Sequence, residues 1–367
     1  MASTTRIWID PGVVGGDGLG GDAANAVASW NAAETLYAAD ITAAGLGVNY
    51  EFWFINPTDV DDFTSVSQGA WVVDSTHAVR YLVDPDYQCD GTMETGYRLR
   101  AASAYGSILY LSKSYTHISG VCVENTSGLV DYRSGSLAVR CSAGVSIVFS
   151  RCRISGTSLT GGQSAGGLYM ASGGPDYAIH CIISGVIGVN LSAWLDFHTY
   201  LCTVIGESYG YYRQNSNSAP VCTSCVVVAA TTPWTGVVGN GWTGTHNSAP
   251  TVPDTGYPAA GVSNVQHAGV GTDFEADGFT PTAGSVVLGA GYPSWTSATF
   301  TNAHWTMSDG WSVGPNDFHN NVRPYLDDMG IGAIDANSLS AGGFFRRGQA
   351  GMNGIGVGGP FFANPLG

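Results

Sequence analysis

A short motif that recurs at intervals close to one solenoid coil constrains the fold of this chain more than any other feature. The stretches CRISG (152–156), CIISG (181–185), CTVIG (202–206) and CVVVA (225–229) each begin with cysteine, a variable residue and then isoleucine or valine. Their cysteines are 29, 21 and 23 residues apart, and CVEN (122–125) resembles an earlier copy. Alternation along a strand places the cysteine and the β-branched residue on one face.

A repeat of this length indicates a parallel β-helix. Turns rich in glycine, asparagine and serine separate the short strands, and 52 of the 367 residues are glycine. Each coil of a β-helix adds one strand to each sheet, and equivalent residues of successive coils stack inside it. The sequence therefore predicts an all-β parallel β-helix with cysteines stacked in its interior.

The cysteines are expected to be reduced and buried. A chain of 367 residues can bury a large core without cross-links, and the start MASTTRIWID shows no signal-peptide pattern, which favours a reducing compartment. The C-x-x-C spacing in VCTSC (221–225) would place its two cysteines on opposite sides of a strand, and no second copy completes a zinc site. No metal and no other cofactor is therefore expected. The eight cysteines are Cys89, Cys122, Cys141, Cys152, Cys181, Cys202, Cys222 and Cys225.

The charge balance disfavours two classes of partner. The net charge is −15 and Lys113 is the only lysine. An acidic surface repels phosphate backbones, so no nucleic-acid partner is expected. No apolar run approaches the ~20 residues of a membrane span, so no membrane partner is expected.

Residues 1–56 are predicted to form a strand, a Gly/Asp loop, a capping helix and a first coil strand. The run AANAVASWNAAETLYAA has helical apolar spacing, and Asp22 precedes it as a natural N-cap. Its predicted buried face consists of Ala26, Trp30, Ala33 and Tyr37.

The rest of the chain divides into a solenoid and a tail. The β-helix is predicted over 57–336, with irregular loops at 230–272 where proline, glycine, serine and threonine accumulate. A tail rich in Gly, Phe and Arg follows at 337–367. Because the core would already be complete, the tail is expected to bind another subunit or a capsid, the alternative being that it folds back over the last coil. Its candidate contact residues are Phe344, Phe345, Arg346, Arg347, Met352, Ile355, Phe361 and Phe362.

Several stretches resemble phage-encoded right-handed parallel β-helix (pectate-lyase-like) virion proteins. They occur in the order AVASWNAAETLYAAD, DSTHAVRYLVDP, METGYRLRAA, YLSKSYTHISGVCVEN, DGFTPTAGSVVLGAG and RPYLDDMGIGAID. The resemblance covers roughly 5–336, and Met329 departs from the isoleucine or valine usual at its position. It implies a right-handed solenoid with an N-terminal capping helix and, by analogy, a homotrimer. It carries no catalytic residue onto this chain, because β-helices host many unrelated functions.

An enzyme site is not expected. Glycoside hydrolysis needs two converging carboxylates, and the region 141–272 contains only four carboxylates, at positions 176, 196, 207 and 254. In WLDFHTY, alternation places four side chains on one strand face, which would suit a sugar platform or equally a solvated or subunit-facing sheet. These possible glycan-facing residues are Trp194, Asp196, His198 and Tyr200.

The acidic clusters are interpreted as turns. DPGVVGGDGLGGD near the N-terminus lacks the regular spacing of a calcium loop, and PTDVDD (57–62) is expected to be a solvated loop. DFEADG (273–278) and the DD pair at 327–328 are likewise expected to be polar turns, with calcium as the alternative.

These observations favour a virion structural protein made in the host cytoplasm. The primary hypothesis is a homotrimeric head decoration (cement) protein bound to the major capsid protein or another virion protein through its tail. The first alternative is a tailspike or fibre that binds or depolymerises host surface glycan, and the second is a cellular polysaccharide lyase.

Overall fold

The structure is a computed structural model that describes residues 3–103, 106–127, 136–142, 146–156, 166–171, 173–192, 195–214, 220–235, 242–250, 264–291 and 332. The elements of its first half are β1 (Ser3–Ile9), α1 (Trp30–Tyr37), β2 (Val48–Phe54), β3 (Val66–Ser67), β4 (Val79–Val83), β5 (Arg98–Ala101), β6 (Gly106–Leu111), β7 (Thr116–Ser119), β8 (Cys122–Asn125), β9 (Ser136–Cys141) and β10 (Ile147–Ser150). Those of its second half are β11 (Arg153–Gly156), β12 (Gly166–Met170), β13 (Gly173–Ile179), β14 (Ile182–Leu191), β15 (Leu195–Tyr200), β16 (Thr203–Arg213), β17 (Val221–Thr223), β18 (Val226–Ala229), β19 (Thr232–Trp234), β20 (Ser248–Ala249) and β21 (Val265–Gln266). Short 3₁₀ turns lie at Ala23–Asn25 and Pro85–Tyr87.

These strands wind into a right-handed parallel β-helix, which confirms the predicted fold. Sheet 1 contains β1, β2, β4, β7, β10, β13, β15 and β17 in that order. A second sheet bends over two faces of the coil because β14 and β16 run across its corner without a break. Face 2 contains β5, β8, β11, the first halves of β14 and β16, β18, β20 and β21. Face 3 contains β3, β6, β9, β12, the second halves of β14 and β16, and β19.

Four cysteines stack inside the coil, as the repeat predicts. The register pairs Arg153 with Ile182, Ile182 with Thr203 and Thr203 with Val226, so the cysteine before each of these residues occupies one interior row. All four cysteines and the β-branched residues two positions later lie in the hydrophobic core. The row consists of Cys152, Cys181, Cys202 and Cys225.

A left-handed residue precedes each cysteine of this row and turns the chain from sheet 1 to face 2. These residues have φ between 53° and 54° and are Arg151, His180, Leu201 and Ser224. The left-handed conformation costs a non-glycine residue about 1–2 kcal/mol. Each corner is held by its backbone N–H, which donates to the next coil, as from Leu201 to the Thr223 carbonyl at 3.1 Å.

CVEN (122–125) does not continue the interior cysteine row. Cys122 pairs with Arg153, so Val121 is the residue beside Cys152. A slip of one residue transfers a side chain to the opposite face of a strand. Cys122 therefore lies on the outside of face 2, where it forms a disulfide with Cys89. The expectation that all eight cysteines are reduced is wrong for this pair, and the other six are free and buried.

The two cysteines of VCTSC both point into the core, which corrects the expectation that they face opposite sides. The left-handed residue Ser224 lies between Cys222 and Cys225 and changes the direction of the chain. Alternation holds only within one strand, and these cysteines belong to adjacent faces of the coil. Within the described ranges, no group of three or more His, Cys, Asp or Glu side chains could hold a metal ion.

The N-terminal cap is shorter than predicted. Asp22 caps only the 3₁₀ turn, and α1 begins after Ser29, whose Oγ accepts from the Ala32 N–H at 3.1 Å. Between them Val27 is held as a β-bridge, because its N–H donates to the Trp8 carbonyl at 2.9 Å. Of the predicted buried face, Ala26, Trp30 and Ala33 are fully buried, whereas Tyr37 is only partly buried. Among the described residues no helix has the length and apolar character required to cross a membrane.

PTDVDD (57–62) is a solvated loop only over residues 57–60, which are exposed, whereas Asp61 and Asp62 at its end make contacts that hold the cap. Asp62 is 2% exposed. Its Oδ2 accepts from the Trp30 N–H at 2.9 Å and from the Tyr97 hydroxyl at 2.7 Å. Asp61 forms ion pairs with Arg98 and Arg100. The buried carboxylate thus ties the start of α1 to the first coils.

The chain after β21 packs on the outside of face 2. Phe279 joins a cluster with Cys89, Cys122 and Ile182, and Phe274 and Val287 join a second cluster with Val226 and Val228. The outer surface of face 2 is therefore a second, smaller core. Between 230 and 272, predicted to be irregular, the described residues include the short strands β19, β20 and β21. The predicted domain boundaries at 56 and 336 stay a prediction.

Candidate binding surfaces on the outside of the coil

Three of the four predicted glycan-facing residues form a hydrogen-bonded chain on β15. They lie on the outside of sheet 1, since the intervening Phe197 is in the core. His198 Nε2 is 2.6 Å from an Asp196 carboxylate oxygen, and its Nδ1 is 2.9 Å from the Tyr200 hydroxyl. Trp194 lies outside the described residues.

This chain has the connectivity of a catalytic triad but not its reactivity. Burial raises the pKa of Tyr200 above its ordinary value, so its hydroxyl is protonated at neutral pH and is a poor nucleophile or base. Tyr177 stacks on His198, with ring centroids 5.2 Å apart, and limits access to the imidazole. Asp196 is exposed and orients the imidazole ring. The arrangement can present hydrogen bonds and aromatic surface to a ligand.

The carboxylates named from the sequence do not converge. Asp176 points inward on β13 and is fully buried, whereas Asp196 on the neighbouring strand points outward. Glu207 lies on the corner between faces 2 and 3. Asp254 lies outside the described residues. The described part of the region thus offers no pair of carboxylates flanking one outer surface, the arrangement that acid–base glycoside hydrolysis needs.

Charged and aromatic residues continue along the outside of sheet 1 at its N-terminal end. One row of paired residues runs Arg6, Glu51, Arg80, His117, Val148, Tyr177, His198 and Val221. Glu51 accepts from Arg80 at 2.8 Å and lies 3.7 Å from Arg6. Burial, together with the positive charges of Arg80 and Arg151, lowers the pKa of His117 well below its ordinary value. These ion pairs stabilise the stacking of the first coils.

Face 3 carries a second outer row, which the sequence analysis did not identify. Its residues are 30, 29, 21 and 22 positions apart, and the register places them on successive strands. The signal was present in the sequence, because these intervals nearly repeat those of the interior cysteines. The row consists of Tyr110, Arg140, Tyr169, Asn190 and Tyr212.

An exposed arginine lies between two tyrosine rings in this row. The guanidinium carbon of Arg140 is 5.8 Å from the ring centroid of Tyr110 and 5.7 Å from that of Tyr169. Such cation–π contacts contribute about 0.5–1 kcal/mol at exposed sites. Further along, Tyr209 and Tyr212 have ring centroids 5.0 Å apart. The row thus presents partly exposed aromatic rings beside a cation.

The other acidic turns are local caps. Asp10 accepts from the Gly12 N–H at 2.8 Å, and Asp17 accepts from the Leu19 N–H at 2.8 Å. Asp273 accepts from the N–H groups of Ala268 and Val286, which lowers its pKa. Each of these carboxylates has its own backbone donors, in agreement with the interpretation as polar turns. The DD pair at 327–328 lies outside the described residues.

The proposed tail contacts cannot be placed on the coil. All of them belong to the part of the chain outside the described residues, so their role stays a prediction. They are Phe344, Phe345, Arg346, Arg347, Met352, Ile355, Phe361 and Phe362.

Comparison with known proteins gives one structural likeness. No protein-family model and no curated protein matches the chain. The solved structure of pectate lyase Pel9A is similar over 91% of this chain and 91% of its own, with 10% sequence identity and a TM-score of 0.41. At that level the likeness carries no argument about activity, and the fold assignment stands on the parallel strand order and register.

Proposed function

We propose that this protein is a non-enzymatic structural protein of a phage virion. In this proposal it is a homotrimeric head decoration (cement) protein that binds the major capsid protein through its C-terminal tail. The phage origin and the trimer are supported by the sequence resemblance. The tail assignment is supported by the composition of 337–367, where two phenylalanine pairs and an arginine pair are interspersed with glycines.

The chemistry of the hydrogen-bonded side chains on β15 supports the non-enzymatic part of the proposal. Asp196, His198 and Tyr200 are the described residues most similar to a catalytic constellation. The raised pKa of Tyr200 keeps the group at the end of the chain protonated, and neither Asp176 nor Glu207 lies on the same outer surface. A rigid coil with charged and aromatic outer rows is suited to presenting surface.

The copy number of the protein per particle tests the location. Purified virions would be analysed by quantitative mass spectrometry against labelled peptides of this protein and of the major capsid protein. We expect a copy number comparable with that of the major capsid protein. A copy number of only a few trimers per particle would place the protein on the tail and contradict the proposal.

The tail is tested separately by truncation. A variant ending at residue 336 should remain folded, because all the described strands precede the tail, and should no longer bind tail-less, undecorated capsids. The matched control is the full-length chain with Arg6→Gln, which removes one exposed positive charge elsewhere. Binding of the truncated variant at full-length affinity would contradict the anchoring role.

A glycan-binding tailspike or fibre is the second candidate, and face 3 favours it. Tyrosine rings stack on the apolar faces of sugars, and the exposed Arg140 can donate hydrogen bonds. The test is incubation with capsular polysaccharides, followed by size analysis of the glycan and by a binding isotherm. Depolymerisation would establish an enzyme and contradict the primary proposal. Binding that Tyr169→Ala abolishes and His198→Ala leaves intact would assign the glycan surface to face 3.

A further inference from the structure

We propose that Cys89 and Cys122 form a reversible redox latch that fixes the outer covering of face 2. This inference goes beyond the proposed function and does not depend on it. In the reduced protein the loop around Cys89 lies against face 2 through non-covalent contacts alone. In the oxidised protein the disulfide ties this loop to β8, and the chain segment 264–291 packs on the tied loop.

The two cysteines differ from the other six in position. Cys141, Cys152, Cys181, Cys202, Cys222 and Cys225 are free and buried inside the coil. Cys89 and Cys122 belong instead to the small outer cluster of face 2. A thiol in the coil can meet an oxidant only if the coil opens, whereas the outer pair needs only local movement of a loop. Oxidation is therefore expected to select this pair.

The surroundings accommodate both oxidation states. Cys89 Sγ lies 3.0 Å from the Thr92 carbonyl oxygen. Cys122 Sγ lies 3.6 Å from the same oxygen and 3.8 Å from the Thr95 carbonyl oxygen. Each S–H of the reduced pair therefore has a backbone acceptor in the same loop, and reduction leaves no buried donor without a partner. A site that satisfies the thiols as well as the disulfide is suited to reversible chemistry.

The latch is connected to the returning segment through Phe279. This side chain is 5% exposed and belongs to the same hydrophobic cluster as the two cysteines. At Gly91, which has φ +95°, a Cβ would lie 2.8 Å from Phe279 Cε2. The glycine thus lets the loop pass directly beneath the aromatic ring. Movement of the loop changes the surface on which segment 264–291 rests.

The oxidation is a thiol–disulfide exchange with a small-molecule disulfide. The thiolate of one cysteine attacks that disulfide, forms a mixed disulfide and releases one thiol. The second cysteine, as thiolate, then displaces the remaining thiol and closes the Cys89–Cys122 bond. Two protein thiols are oxidised, one small-molecule disulfide is reduced to two thiols, and the protons pass to these products.

The test compares hydrogen exchange of the reduced and oxidised full-length protein. The protein would be incubated with excess reduced or oxidised glutathione, and the cross-link would be counted by alkylation in denaturant. We expect eight labelled cysteines in the reduced protein and six in the oxidised protein. We also expect exchange at 85–97 and 264–291 to slow at least tenfold on oxidation, while the interior strand β10 changes little.

The matched control is the double variant Cys89→Ala/Cys122→Ala, whose exchange should be the same in both glutathione solutions. Eight labels after oxidation of the native protein would overturn the proposal. So would a cross-link that forms without slowing exchange in 264–291, or slowing that persists in the double variant. Copy number per virion plays no part in these measurements, so failure of the latch and failure of the virion proposal are distinguishable.

Discussion

Asp176 is a buried carboxyl group that lacks a full set of hydrogen bonds. Its Oδ1 accepts from the Ile147 N–H at 2.8 Å, and its Oδ2 has no partner among the described residues. Burial, with a smaller contribution from the negative charge of Asp196, raises the pKa of Asp176 from 3.8 to about 7 against the opposing effect of the Ile147 hydrogen bond. The folded protein thus holds a proton here that the unfolded chain has lost at the same pH.

The raised pKa of Asp176 leads us to expect that the stability of the protein depends on pH. A carboxyl whose pKa is higher in the folded state contributes most below its unfolded pKa, and the contribution is lost as pH rises toward about 7. The free energy of unfolding should therefore fall by a few kcal/mol between about pH 4 and pH 7. Asp176→Asn cannot ionise and should remove most of this fall. Urea unfolding of both proteins at several pH values measures this fall in the free energy of unfolding.

The exposed neighbour Asp196 supplies the control for that experiment. Asp196→Asn removes a carboxylate from the same sheet without changing a buried group. Its pH profile should keep most of the wild-type fall, because burial is the largest cause of the raised pKa of Asp176. If Asp176→Asn showed the same fall as the wild type, another group would have to be responsible for it.

At the scale of single residues, part of the candidate site could be predicted from the sequence and part could not. Alternation in WLDFHTY correctly predicted that Asp196, His198 and Tyr200 share a face, because that inference needs only a strand period of two. The disulfide could not be predicted, since it depends on a one-residue register at Cys122 and on a loop 33 residues earlier in the sequence. Register is a long-range property that no local pattern contains.

At the scale of elements, α1 is joined to the coil by a buried carboxylate. Glu34 is 3% exposed. Its Oε2 accepts from the Gly69 N–H and from Trp71 Nε1, both at 2.7 Å. Its Oε1 accepts from Trp30 Nε1 at 3.2 Å and from the Tyr81 hydroxyl. Burial raises the pKa of Glu34, and these four donors oppose the shift.

Removing this carboxylate should detach the cap. Glu34→Ala leaves the buried side-chain donors of Trp30, Trp71 and Tyr81 without this acceptor, and each costs about 1–3 kcal/mol when it cannot reach water. We expect a loss of at least 3 kcal/mol in the free energy of unfolding. Leu36→Ala on the same helix is the control and should change stability little, because Leu36 is 53% exposed. Equal effects of the two substitutions in chemical denaturation would argue against the role of Glu34.

The sequence located α1 but not its beginning. Helical spacing and the abundance of alanine identified the correct region, since these are local preferences. Val27 instead pairs with β1, and this tertiary contact overrides the helical propensity of the preceding residues. The end of PTDVDD was misinterpreted for the same reason, because the partners of Asp62 are Trp30 and Tyr97.

At the scale of the whole molecule, the protein has a core inside the coil and a smaller one outside face 2. The outer core joins residues of β8, β14 and β18 to the chain segment that follows β21. Contacts of this kind connect parts of the chain that are far apart in sequence. They are expected to make unfolding of the coils more cooperative than nearest-neighbour stacking alone would allow.

Phe279→Ala should uncouple the outer core from the coil. Truncation of a buried phenylalanine typically costs 3–5 kcal/mol, and Phe279 is 5% exposed. Because the interior core is not touched, we expect hydrogen exchange to increase in 264–291 well before it increases in β10. Val286→Ala is the control, since Val286 is 47% exposed. A uniform increase in exchange over the whole chain would show that the outer core is not a separate unit.

The uninterrupted passage of β14 and β16 around one corner has a consequence for protein engineering. At that corner Gly185 and Gly206 each connect faces 2 and 3 within a single strand, whereas β11 ends at Gly156 and β12 begins at Gly166, with nine residues between them in the sequence. Neighbouring coils pair in parallel on both faces despite this difference in length. Foreign peptides inserted at this corner should therefore be displayed at regular heights along the coil, without any change in the rows of residues inside it.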